Sequence, residues 1–71
     1  MQLVPVRSSD LAAVGYDPIA SLLEVQFLDG RAYQYSGVPA VVHQRLMTAP
    51  SKGRYFDRFV KRARYSWARV R

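Results

Sequence analysis

The sequence has no cysteine. That excludes a disulfide framework and any metal site built on thiolates. It has one histidine, His43. A lone imidazole cannot make a usual metal centre, and no Asp or Glu stands at helical spacing from it. No stretch approaches the ~20 apolar residues of a membrane span. The first residues, Met1 to Pro5, have neither a basic n-region nor a long apolar run, so no targeting signal is read there and a cytoplasmic protein is expected. Acidic residues are scarce, five against eleven Lys and Arg. None are paired in a way that suits acid–base catalysis. Ser8 and Ser9 lack the flanking glycines of a nucleophile elbow and read as a turn or cap. No catalytic machinery is visible. The expectation is a protein that is not an enzyme, takes no cofactor, and works by binding.

What is present is basic charge at one end. Residues 1–44 hold two basic residues against four acidic, a net of −2, while residues 45–71 hold nine basic residues against Asp57 alone, a net of +8. Such a chain offers its C-terminal part to a polyanion. Seventy-one residues are expected to make one domain, 1–71. A chain this short buries only ~60% of the surface its unfolded form exposes, so a partner would add stability.

The order of elements reads as strands, then helices. Leu3 to Val6 is short and β-prone, but Pro5 lacks a backbone donor and confines it to a sheet edge or an extended arm. Leu11 to Tyr16 is a candidate strand closed by the turn signal Asp17-Pro18. A short helical turn capped by Ser9 or Asp10 competes with it. In Leu22 to Leu28, Leu23, Val25 and Phe27 alternate with Glu24 and Gln26, the period of a half-buried strand. Asp29-Gly30 signals a hairpin, with a return strand over Arg31 to Ser36.

The register of this hairpin decides the fate of two tyrosines. A two-residue Asp29-Gly30 loop would set Tyr33 and Tyr35 on the open face, like a base-stacking platform. A Leu28-Asp29-Gly30 loop with left-handed Gly30 sets Phe27 opposite Arg31, Val25 opposite Tyr33 and Leu23 opposite Tyr35, giving both strands one apolar face. Burial favours the second, which places Tyr33 and Tyr35 in the core or at its rim.

Val38, Val41, Val42, Leu46 and Ala49 recur at helical spacing, with Pro39 suited to the first turn and Pro50 ending the helix. Ser51 can cap a second helix, about Lys52 to Arg64. At 100° per residue, Tyr55, Phe56, Phe59, Val60 and Ala63 share one arc. Arg54, Arg58 and Lys61 lie opposite, with Arg62 on the flank. The tail, Tyr65 to Arg71, interleaves aromatic and basic residues and is expected to add an edge strand or pack back on the core. The fold expected is α+β: a small N-terminal antiparallel β-meander of three to four strands packed against two C-terminal helices.

Three candidate binding features follow. The ridge of Arg54, Arg58 and Arg62 at i, i+4, i+8, with Lys61 and Arg64, suits phosphates, since like charges at that spacing repel. The helix start Ser51-Lys52-Gly53-Arg54 points amides outward and suits an anion. Tyr65 and Trp67, between Arg64 and Arg69, can stack on bases, as could Tyr33 and Tyr35 if exposed.

Ser8-Ser9, Gly15-Tyr16-Asp17, Leu23-x-Val25-x-Phe27, Gly30, Tyr33-Gln34-Tyr35, Val38-Pro39 and Ala49-Pro50-Ser51-Lys52-Gly53-Arg54-Tyr55-Phe56 run in the order and spacing of the KTSC domain. The chain resembles that family from about Val6 to Tyr65. The family takes its name from a position at the C-terminus of some lysyl-tRNA synthetases, and it also occurs as small stand-alone bacterial and phage proteins. Asp57 stands where the family commonly has Asn, which would weaken a phosphate contact at that position. The resemblance implies RNA binding, with tRNA as one candidate, because a synthetase appendage is placed to touch it. It does not imply synthetase activity, for which the chain is too short. The other readings are a protein-interaction or homo-oligomeric module, and a small protein that captures a nucleotide or cyclic nucleotide by its phosphate at the Ser51–Arg54 helix start.

Overall fold

The structure is a computed structural model that describes residues 1–71. It is an α+β fold in which N-terminal strands form an antiparallel sheet against C-terminal helices. The strands are β1 (Val4–Pro5), β2 (Leu11–Asp17), β3 (Leu22–Phe27) and β4 (Ala32–Ser36), followed by α1 (Ala40–Thr48) and α2 (Lys52–Phe56). The helix α2 runs on into a π-helical segment, Asp57–Lys61, and the chain returns as β5 (Ser66–Arg69). The sheet has five strands in the order β1-β2-β3-β4-β5, each pair antiparallel. The N-terminal meander therefore supplies four strands and the tail adds a fifth, against β4.

Residues 11–17 form a strand, not a helical turn. Ser8 sets its start, its Oγ accepting from the amides of Asp10 and Leu11 at 3.1 Å each. A register shift lies between Leu11 and Ala13, the irregularity expected of a bulge. The β3–β4 hairpin takes the bulged register. Val25 pairs with Tyr33 and Leu23 with Tyr35, the Phe27 amide donates to the Arg31 carbonyl at 2.8 Å, and Gly30 has φ +94°. The alternative register would have turned Ala32, Gln34 and Ser36 inward in place of the tyrosines. Burial therefore decides the pairing.

The core lies between the sheet and the helices. Leu11, Val14, Leu23, Val25, Tyr35, Val38, Leu46, Phe56 and Val60 form one buried cluster. In α1, Leu46 is the buried residue. The helix begins at Ala40, with Pro39 extended at its N-cap rather than in its first turn. It stops at Thr48 because Ala49 is held extended before Pro50 (φ −65°, ψ 137°).

The expected second helix over Lys52 to Arg64 needs correction. After Phe56 the backbone closes i→i+5, the Arg62 amide donating to the Asp57 carbonyl at 3.2 Å, and the chain turns at Arg64 with φ +63°. The wider turn delays the rotation of each following side chain. Phe56 and Val60 still point inward, but Phe59 is 47% exposed and Ala63 faces solvent.

On the other face of the sheet, Gln34 Nε2 donates to Glu24 Oε1 at 2.8 Å, with the Arg71 guanidinium 4.0 Å from Glu24 Oε2. Residues 1–3 lie over Gly15, where an added Cβ would come within 3.0 Å of Gln2 O, Leu3 Cδ2 and Met1 Cγ.

Candidate nucleic-acid interface

The helical side of the sheet carries a cleft of about 900 Å³ between strands β3 to β5 and the segment from Gly53 to Lys61. Its aromatic wall follows from strand pairing. Tyr35 pairs with Trp67, and Tyr33 with Arg69, so these four side chains share the helical face. Trp67 meets Tyr33 at 5.8 Å and 63°. Tyr33 meets Phe27 at 5.8 Å and 85°, and Phe27 meets Phe56 at 5.5 Å and 78°. These are edge-to-face contacts, each contributing about 0.5–1.5 kcal/mol beyond burial. They fix a row of rings with Trp67, 62% exposed, at its open end.

The charges in the cleft are balanced. Arg31, Arg54 and Lys61 line it together with Asp10, Asp29 and Asp57. Asp29 is committed to Arg31, whose Nε lies 2.7 Å from Asp29 Oδ2. The Arg31 amide also donates to Asp29 Oδ1 at 3.0 Å, and that backbone bond is the first cause holding the Asp29 carboxyl below the ordinary range. Asp57 is committed to Arg62 at 3.2 Å. Asp10 accepts no side-chain or backbone hydrogen bond at its carboxylate and has no basic nitrogen within 4.0 Å. Of the basic groups, Arg54 and Lys61 have no acid within that distance.

The sequence grouped residues that the structure separates. Arg54 and Lys61 enter the cleft, whereas Arg58 lies over the Phe59 ring at 5.5 Å and Arg62 pairs with Asp57. Of the three arginines at i, i+4, i+8, only Arg54 lines the cleft. Arg64 sits at the turn into β5. The helix start is not open to an anion. Ser51 Oγ accepts from the Arg54 amide at 3.4 Å as the N-cap, and Lys52 Nζ folds back to the Ala49 carbonyl at 3.2 Å. A Cβ on Gly53 would lie 2.6 Å from Asp10 Oδ2. The small residue at 53 thus admits the protein's own carboxylate where a phosphate was expected.

Among the aromatics, Tyr65 is half-buried against the core. Tyr35 is 5% exposed, and burial raises its hydroxyl pKa; it cannot stack on a ligand. Tyr33 and Trp67 remain. Three lining residues were missed, Asp10, Phe27 and Arg31, as was Arg69 beside Tyr33. Arg31 and Arg69 stand two residues from Tyr33 and Trp67 and so share their face, a signal readable once the strands are assigned. Nothing local marks Asp10, which reaches the cleft only because the chain before β2 passes α2. His43 stacks on Tyr16 at 4.7 Å and 10°, away from the cleft, and burial pushes its pKa down.

Comparison with known proteins places these features in a family. The KTSC domain matches residues 7–65. A crystal structure of a KTSC domain protein from Yersinia pestis superposes with a TM-score of 0.90 at 44% identity, covering 99% of this chain and 97% of that one. An uncharacterized protein of Stutzerimonas stutzeri is 41% identical over 70 residues, 99% of each chain. A lysine–tRNA ligase of a Nostoc species is 39% identical over 59 residues, which are 83% of this chain but 10% of the ligase. Trp67 and the whole of β5 lie beyond the residues matched to the family. The chain belongs to the KTSC domain family.

Proposed function

We propose that this protein binds single-stranded RNA along the cleft, with bases turned toward Tyr33 and Trp67 and phosphates on the cations around it. The observation that carries this reading is Trp67. A large ring left 62% exposed and braced edge-on by Tyr33 is available for base stacking, which contributes ~1–3 kcal/mol per base. Lys61 and Arg54 stand in the same cleft without acidic partners, and the chain carries a net +6. Balanced charge inside the cleft suits bases there and phosphates at the rim. The matching region in lysine–tRNA ligases, proteins whose name carries tRNA, supports RNA over other polyanions.

Trp67 is the sole tryptophan, so its fluorescence reports on the cleft alone. Titration with a single-stranded ribo-oligonucleotide is expected to quench it. Trp67→Ala, followed by anisotropy of a labelled oligonucleotide, is expected to weaken binding by roughly tenfold. Unquenched Trp67 together with an unshifted oligonucleotide at low salt would refute the proposal.

A further inference from the structure

We infer that the Asp10 end of the cleft selects guanine, so that the bound RNA is read at one base. This rests on the RNA-binding reading above and adds to it a specificity. Of the three carboxylates that line the cleft, Asp29 is satisfied by Arg31 and Asp57 by Arg62. Asp10, exposed to solvent, alone has no protein donor. Its position is enforced: Ser8 Oγ holds its amide at 3.1 Å, its carbonyl accepts from the Leu28 amide at 3.0 Å, and its Oδ2 occupies the space left by the missing side chain of Gly53. An ionised carboxylate only accepts hydrogen bonds, at two adjacent oxygens.

Guanine presents two adjacent donors on its Watson–Crick edge, N1–H and the 2-amino group. Adenine and cytosine set a ring-nitrogen acceptor beside their amino group, and uracil flanks its single N–H with two carbonyls. Each of these would bring an acceptor against one carboxylate oxygen. Charge-assisted pairs of this two-pronged kind are the strong ones. A basic peptide could also supply two donors, but it would have to approach a protein of net charge +6.

The span is consistent with a strand of RNA rather than one base. Asp10 borders β3 through Leu28 and Trp67 lies on β5, so two strand spacings separate β3 from β5. With Asp10 one further spacing out and displaced along the strands as well, since Leu11 pairs with Phe27 and Trp67 is in register with Leu23, the two ends of the cleft are at least about 14 Å apart at ~4.8 Å per strand. A base on Trp67 and the base at Asp10 are therefore different nucleotides.

The test is anisotropy of labelled hexauridylate and of three variants with a single internal guanosine, adenosine or cytidine, against wild type and Asp10→Asn. Asn is near-isosteric, and a thermal melt checks that the variant folds. In wild type the guanosine oligomer is expected to bind about tenfold tighter or more than hexauridylate, the discrimination typical of one bidentate base contact. Asp10→Asn should erase that preference, read as the ratio of guanosine-oligomer to hexauridylate affinity within the variant. Equal affinities in wild type, a preference for adenosine or cytidine, or a guanosine preference that survives Asp10→Asn would overturn the inference while RNA binding stands. No binding by any oligomer would overturn both.

Discussion

His43, expected to have no part in catalysis, has a measurable consequence for stability. It is flat against Tyr16, whose hydroxyl donates to the Val38 carbonyl at 2.6 Å, tying β2 to the start of α1. Burial there disfavours the imidazolium and lowers the folded-state pKa. As pH falls through the ordinary histidine value of about 6.5, the unfolded chain takes up the proton first. Stability is therefore full above that value and declines below it, until the folded-state pKa is reached. The urea midpoint should be lower at about pH 5.5 than at about pH 7.5, and His43→Gln should flatten that difference. An equal slope in the variant would assign the pH dependence elsewhere. At this same scale, the sequence disclosed residues whose partners are near in the chain, such as Ser8 at its turn and Ser51 at its cap. It did not disclose Asp10 in the cleft, because the neighbour that places it is Gly53, 43 positions along the chain.

The elements were legible wherever their period was regular. Alternation in Leu22–Phe27 and Ala32–Ser36, the left-handed Gly30 and the proline boundaries of α1 follow from steric and burial rules that act within a few residues. The π-helical segment broke the one inference that assumed a constant 100° step. That inference put Phe59 and Val60 together in the core; the structure separates them, with Val60 fully buried and Phe59 47% exposed, its ring 4.7 Å from Tyr55. The two arrangements differ in what mutation costs. Val60→Ala removes buried methyl groups and leaves a cavity, for a loss of about 2–3 kcal/mol. Phe59→Ala gives up only surface contact and should cost under about 1 kcal/mol. Urea unfolding of both variants distinguishes them, and a larger loss for Phe59→Ala would restore the uninterrupted α-helix. Of Arg54, Arg58 and Arg62 only Arg54 lines the cleft, so the candidate site moved from a ridge on one helix to a cleft between that helix and the sheet.

At the scale of the whole molecule, charge separates along the sequence but mixes in space. The basic tail returns as β5 beside β4, bringing Arg69 and Arg71 to the β3–β4 hairpin that holds Asp29 and Glu24. Net charge alone would draw RNA toward any face; contact with phosphates would depend on which cations are touched. Salt dependence distinguishes the two, because log affinity for a single strand falls with log salt at about −0.7 per phosphate neutralised. Four phosphates would give a slope near −3 and a loss of about 50-fold between roughly 50 and 200 mM salt. Capture of one phosphate, the nucleotide reading, would lose less than about threefold over that range. Two double variants carry the argument further, since Lys61→Glu with Arg69→Glu and Arg7→Glu with Arg45→Glu change net charge equally. Only the first pair borders the cleft, Lys61 in its lining and Arg69 beside Tyr33. The first pair should roughly halve the slope, and the second should leave it within error of wild type. Equal effects from both pairs would mean that RNA is held by the protein's overall field and not at this cleft.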